Sequence, residues 1–323
     1  MGKIDSKVVT APIRWAGSKK KLLNEMLHAF EKNKDVYIEP FLGSGIVLLN
    51  VLENQMYKKY YVNDINENLI LFYNTLKNDS NQLIKRIDSL CREYNKFADD
   101  EEKWNYFYKK RESFNKKQIR NVTRAALFWF LMKAGYNGVY RVNSKGKFNV
   151  PCGKREKIVC NKEKMEEISQ KIQNVEFFCM DYSSFIDMVL EREKNESIFM
   201  YCDPPYMPET VSSQKHILYT QNVFEHTKFM EYMNAICHIA DISVMISMAE
   251  TENVVQMYKE HSHFIKVKIE EIVRKVNPMK QMKSKEIAFV NYSVNENPVI
   301  TKSPKTTRTQ RKIRIFPYKM NGK

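Results

Sequence analysis

The chain has 323 residues and is 43% apolar and 12% aromatic, enough to bury a core, which excludes wholesale disorder. Its 53 Lys and Arg against 38 Asp and Glu leave a net charge of +15, which favours a polyanionic partner, although a lysine-rich source would give the same excess. No apolar run approaches the roughly 18 residues of a membrane helix, and the opening MGKIDSKVV lacks the apolar stretch of a signal peptide, so a soluble, cytoplasmic protein is expected.

Residues 12–66 read as helix, strand, glycine turn, helix, strand. The strands are Val36–Glu39 and Tyr60–Asn63, with a buried crossover helix over Gly45–Leu49. That is a βαβ unit of a parallel sheet. Residues 67–175 are long, charged and mostly helical. Within them Val122–Ala134 is an apolar helix with Gly135 as a plausible C-cap. Asn137-Gly138 is a strong hairpin signal, and a second turn comes at Asn143–Gly146. Residues 136–151 therefore read as a β-hairpin or looped-out ribbon.

Residues 176–292 return to α/β character. The expected strands are Val175–Cys179, Ile198–Cys202, Ile242–Ser247, Phe264–Glu270 and Ile287–Tyr292, with a helix over 224–239. Residues 301–323 carry many Lys and Arg and no acid, so 293–323 reads as a basic tail. The six cysteines show no CxxC spacing and read as reduced thiols.

The sharpest motif is Asp203-Pro204-Pro205-Tyr206, directly after the apolar run Ile198–Cys202. Ligands of open α/β sheets bind at the carboxyl ends of strands. Two prolines stiffen the turn and remove two backbone donors, leaving carbonyl acceptors. A carboxylate and a flat aromatic ring beside them suit the exocyclic amino group of a planar base. The blander alternative is a strand-ending turn with a surface tyrosine.

The second motif is Glu39-Pro40-Phe41-Leu42-Gly43-Ser44-Gly45, between a strand and a helix. Its glycines let a ligand approach the backbone. It is neither GxGxxG nor a P-loop. Asp64 ends the next strand, where an acid typically accepts ribose hydroxyls; the blander alternative is a helix N-cap. His261-Ser262-His263 lacks a third ligand at a telling spacing, so no metal is expected. No GxSxG elbow supports serine nucleophilic chemistry.

Together, FxGxG at 41–45, Asp64 and the later DPPY resemble the S-adenosylmethionine-dependent amino methyltransferases. Arg14-Trp15-Ala16-Gly17-Ser18-Lys19 precedes the glycine loop, and Tyr136–Asn143 and Gly146–Gly153 lie inside a long insert. That order over residues 11–292 is similar to the Dam-type, alpha-group N6-adenine DNA methyltransferases. The resemblance implies a Rossmann-like α/β methyltransferase sheet built from 1–66 and 176–292. It also implies a mostly helical target-recognition domain over 67–175 that carries the hairpin.

In that family Asp203, Pro204, Pro205 and Tyr206 would hold a flipped-out target adenine. Trp15, Gly17, Lys19, Glu39, Phe41, Gly43, Gly45, Asp64, Asp203 and, more loosely, Asp181 would line the S-adenosylmethionine pocket. Arg14, Tyr136, Asn137, Val139, Arg141 and Pro151 would read double-stranded DNA, with GATC as the expected site. A monomer associated with the nucleoid through DNA is expected. Cytosine-N4 or RNA methylation, and a noncatalytic DNA-binding module, remain alternatives. Ser18 replaces a glycine usual in the family. Arg274–Lys285 lacks glycines seen in some relatives, which leaves the loop before the last strand open.

Overall fold

The computed structural model describes residues 8–116, 119, 121–207, 224–239, 241–259, 264–277 and 280–294. The sequence at the centre of the sheet explains its burial. Val36-Tyr37-Ile38-Glu39 (β1) and Ile198-Phe199-Met200-Tyr201-Cys202 (β4) are buried at every position. Such strands have no solvent face, so helices must cover both sides.

β1 pairs in parallel with β4 and with β2 (Lys59–Asn63). β3 (Val175–Phe178) extends the sheet beyond β2, and β5 (Ile242–Ala249) extends it beyond β4, both in parallel. A long antiparallel pair, β6 (Ile265–Asn277) and β7 (Lys280–Val290), completes seven strands in the order β3-β2-β1-β4-β5-β7-β6. This is the Rossmann-like α/β sheet that the resemblance implies. The winding reverses between β1 and β4, which opens a crevice at their carboxyl ends.

Alternation along these strands divides the core. Tyr37, Phe199 and Tyr201 point to one face, whereas Val36, Ile38, Met200 and Cys202 point to the other. The second face packs against α8 (Tyr182–Arg192) and α9 (His226–Ile236) through Phe185, Ile186, Phe229 and Met233. The first face packs against α1 (Leu23–Ala29) and α2 (Ile46–Glu53), and its apolar cluster continues into the helical insert.

The insert comprises α3 (Glu67–Asn78), α4 (Ser80–Asn95), α5 (Asp100–Phe114), α6 (Asn121–Ala134) and α7 (Lys162–Lys171). Ala125–Met132 of α6 are all buried, so this stretch has no polar face and lies within the bundle. Its Phe130 meets Tyr94 of α4 and Tyr106 of α5 edge-on. α10 (Glu252–Lys259) closes the chain order of helices.

Most expected boundaries differ by a few residues. The largest differences are the strands expected at 264–270 and 287–292, which are parts of the longer β6 and β7, and the helix expected at 224–239, which spans 226–236. Antiparallel partners let both strands extend beyond the apolar stretch that marks each one in sequence. Residues 278–279, between β6 and β7, and the expected basic tail beyond 294 lie outside the described residues.

Gly45 holds a positive φ of 69° immediately before α2, and a Cβ there would lie 2.3 Å from the Tyr73 hydroxyl. Tyr73 is fully buried and its hydroxyl donates to the Ser44 carbonyl at 2.6 Å. Gly45→Ala is therefore expected to destabilise the protein by about 1–3 kcal/mol. Urea unfolding would measure this, and the loss should be smaller in a Tyr73→Phe background, where part of the clash is gone.

Candidate active site

The segment before α1 is tied down at several points. Asn50 of α2 bonds both backbone groups of Val9, at 2.9 and 2.7 Å. Trp129 of α6 donates its indole N–H to the Pro12 carbonyl at 2.8 Å. Thus anchored, the chain makes a short 3₁₀ turn, Lys19–Lys21, that carries the Lys19 side chain inward to 5% exposure.

The Lys19 ammonium donates to both Asp203 carboxylate oxygens, at 2.6 and 2.7 Å, and to the Tyr206 hydroxyl at 2.7 Å. It also sits 4.7 Å from the centroid of the Tyr206 ring. Burial by itself would lower the Lys19 pKa, but the Asp203 carboxylate and Tyr206 hold it above the usual lysine value. Asp203 directly follows β4, and its side chain keeps 22% exposure. Tyr206 in turn donates to Oε2 of Glu286 at 2.7 Å. Glu286 is on β7 and is fully buried.

The glycine loop lies beside this group. Gly43 takes a positive φ of 50°, and a Cβ there would lie 3.5 Å from the Trp15 indole. Trp15 stacks on Tyr140 with centroids 6.2 Å apart. Asp64, just past β2, accepts the Gly43 N–H on one oxygen at 3.0 Å and the Asn66 N–H on the other at 2.9 Å. It is not the cap of α3; Asn66 is, accepting from Asn68 and Leu69. Burial pushes the Asp64 carboxyl up to about 6, partly opposed by the two N–H donors.

Glu39 at the end of β1 is 1% exposed and accepts the Tyr37 hydroxyl at 2.8 Å. Burial drives its pKa well above the carboxylate range, and the negative Asp203 and Asp64 add to this. Asn63 fastens three strand ends together. Its side chain donates to Pro40 at 3.1 Å and Met180 at 3.0 Å, and accepts the Met180 N–H at 3.0 Å.

Other expected cofactor-lining residues are less convergent. The Phe41 ring packs among Tyr182, Phe224 and Phe229. Asp181 caps α8, accepting from the backbone and hydroxyl of Ser183. Gly17 has a positive φ of 79° and open space around it. Among the described residues, no group of three or more His, Cys, Asp or Glu is arranged to hold a metal. His261 and His263 lie outside the described residues.

Residues 135–152 form an irregular ribbon. The Asn137-Gly138 turn forms, with φ of 54° and 65°, but it does not close a hairpin. Gly135 instead bridges Cys152, and Val142 bridges Phe148. The reversal occurs at the second turn, where Asn143 and Lys147 pair. The Asn-Gly step serves a neighbour: a Cβ on Gly138 would lie 2.5 Å from Arg14 Cγ. Gly135 is not a left-handed cap, since its φ is −68°; a Cβ there would lie 2.6 Å from the Leu131 carbonyl.

The expected DNA-reading residues converge on this ribbon. Arg14 donates to the Gly135 carbonyl at 3.3 Å, and the Tyr136 N–H donates to Pro151 at 3.0 Å. Tyr136 is 58% exposed, Asn137 and Pro151 are exposed, and Val139 is half-buried. Arg141 is exposed and braced by Asn149, which accepts from its guanidinium at 2.8 and 3.3 Å. Sequence reasoning missed Glu286 and Asn63. Asn63 had a signal in its place beside Asp64 at a strand end. Glu286 had one only as an acid flanking an apolar strand.

The profile of the D12 class N6 adenine-specific DNA methyltransferase family matches residues 15–277. The chain belongs to this family. It is 38% identical over 204 residues to the Type II methyltransferase M.MjaIII of Methanocaldococcus jannaschii, covering 61% of this chain and 68% of that protein. It is 30% identical over 281 residues to a DNA adenine methylase of Haemophilus influenzae, covering 86% and 92%. A DNA adenine methylase of Escherichia coli strain K12 is 31% identical over 263 residues, covering 79% and 87%. The protein is thus an N6-adenine DNA methyltransferase of the D12 class.

The Lys19–Asp203 pair should be asymmetric in stability. Asp203→Ala strands a buried ammonium, which costs about 3 kcal/mol or more. Lys19→Met leaves a carboxylate with solvent access and should cost less. The double variant should recover part of the loss, with a coupling of about 1–3 kcal/mol in urea unfolding. Strictly additive costs would mean that the two groups do not support each other.

Proposed function

We propose that the enzyme uses S-adenosylmethionine to methylate a flipped-out adenine in duplex DNA, with GATC as its site. The observation that carries this reading is the grouping of Asp203 and Tyr206, after β4, beside the Asp64-braced glycine loop, after β1 and β2. An acceptor turn for a base and a nucleoside cradle then share one crevice.

The residues present fit such a methyl donor. Asp64 uses one acceptor site on each oxygen for backbone N–H groups, which leaves others for ribose hydroxyls. Asp64 and Asp203 place carboxylates near the strand ends, which suits a sulfonium cation, whereas Glu39, whose charged form burial disfavours, adds polarity and little charge. Gly43, roofed by Trp15, keeps the backbone open to a ligand. Lys19 is the exception among the expected lining residues, since its ammonium is engaged with Asp203. When bound, S-adenosylmethionine supplies an electrophilic methyl carbon.

The chain's own residues supply the rest. A target N6 is shielded inside the duplex, so the base must leave the stack. Stacking on Tyr206 offsets part of that cost. The N6 lone pair is delocalised into the ring and is a poor nucleophile. Acceptance of its hydrogens by Asp203 and the Pro204 carbonyl favours a tetrahedral nitrogen with a directed lone pair. Rigid placement by Pro204 and Pro205 supplies orientation without later reorganisation. As the N–C bond forms, one N6 proton is lost, and the solvent-facing side of Asp203 gives it an exit to water. No covalent enzyme intermediate is required.

For readout, the insert and its ribbon form the DNA-reading unit. Arg141 is braced by Asn149 yet keeps donors for guanine O6 and N7, Arg14 lies on Gly138 at the ribbon's base, and Val139 suits a thymine methyl.

The direct experiment incubates the protein and S-adenosylmethionine with unmethylated genomic DNA, then maps modified bases by modification-sensitive sequencing. N6-methyladenine within GATC is expected; another motif would replace the site, and modified cytosine would overturn the target. Asp203→Ala should abolish transfer while retaining DNA binding. Arg141→Ala should relax discrimination by about 1–3 kcal/mol at one base position. A loss of affinity uniform across sequences would reassign Arg141 to phosphate contact.

A further inference from the structure

Glu286 has no part in the motifs of the family resemblance, yet it is fully buried at the chemical centre. The direction of the hydrogen bonds there is set by chemistry. An ammonium can only donate, so the contact from Lys19 at 2.7 Å makes the Tyr206 oxygen an acceptor. A phenol has one proton, and that proton points to Glu286 at 2.7 Å. Glu286 therefore orients Tyr206 as an acceptor toward Lys19.

A second observation concerns Asp203. Lys19 occupies both of its oxygens, at 2.6 and 2.7 Å. Those are the oxygens that the target amino group needs. Each oxygen keeps a further lone pair, but the ammonium sits against both, so an entering amino group competes with it, and an ammonium at 5% exposure that is loosened from Asp203 needs its other acceptor held in place.

We propose that Glu286 is a positioning residue that, through the Tyr206 hydroxyl, holds in place the second acceptor of Lys19 when the target amino group competes for Asp203. Lys19 is then a placeholder for the amino group, and Glu286 lowers the cost of displacing it. The inference rests on the reading of Asp203 as the adenine site. Glu286 acts on the base-binding step and not on the methyl donor.

The test places 2-aminopurine beside the target adenine of duplex DNA and follows its fluorescence as the adenine leaves the stack, alongside steady-state kinetics. Glu286→Leu should lower the fluorescence amplitude and reduce kcat by roughly 10- to 100-fold, with KM for S-adenosylmethionine unchanged. Glu286→Gln keeps an acceptor oxygen and should stay close to wild type. Tyr206→Phe, which retains the ring, should reproduce the Glu286→Leu loss and not add to it. In a Lys19→Met background, which has no ammonium to rehouse, Glu286→Leu should leave the fluorescence unchanged. Persistence of the loss in that background would reduce Glu286 to a structural role and overturn the proposal. A wild-type response from Glu286→Leu, or a Glu286→Gln as defective as Leu, would also overturn it. If wild-type protein gives no fluorescence change and no methylation, the adenine-site reading itself fails; the two failures are thus distinct.

Discussion

A single buried cation organises this molecule. Lys19 comes from the segment before the first long helix, Asp203 and Tyr206 from the end of the central strand β4, and Glu286 from the antiparallel strand β7. An ammonium taken out of water must find acceptors on several sides. Satisfying it fixes where three remote parts of the chain sit. The crevice at the winding reversal gives these groups a common meeting place, and the helices on both faces exclude water from beneath it.

The helical insert is held to the sheet by the same logic. Its apolar cluster is continuous with one sheet face, from Phe130 through Leu48 to Phe199. The entry segment stitches the two parts: Val9 is bonded to α2, Pro12 to α6, and Arg14 reaches the ribbon. Asn63 performs a similar task at the strand ends, joining the loops after β1, β2 and β3. The contact between Asp64 and the Gly43 turn is likewise fixed by backbone N–H bonds.

Much of this is legible in the residues. A continuous apolar run such as Ile198–Cys202 suits an interior strand, and DPPY and FxGxG mark the turns at the ends of two such strands. Other features are set by tertiary contact and leave no local trace. Asn137-Gly138 has the letters of a hairpin, and the turn does form. No ladder closes across it, and its Gly138 instead packs against Arg14, more than a hundred residues away in sequence. Glu286 reads as one more charge beside an apolar strand; only the sheet order shows that β7 brings it to Tyr206. The motif around Lys19 places it near the crevice, but its engagement with Asp203 depends on a side chain 184 residues later. Phe41 and Asp181 have local packing and capping roles that a motif cannot reveal.

The placement of β7 has a consequence for synthesis. β7 lies between β5 and β6, so the sheet acquires its penultimate row only after every other strand has been translated. The chemical centre draws on residue 19 and residue 286 at once. A nascent chain still on the ribosome, or one cut short before β7, carries the ribbon at 135–152 without the Glu286 partner of Tyr206. The hydrogen-bonded centre that joins Lys19, Asp203, Tyr206 and Glu286 is therefore complete only when the last of the described strands is in place.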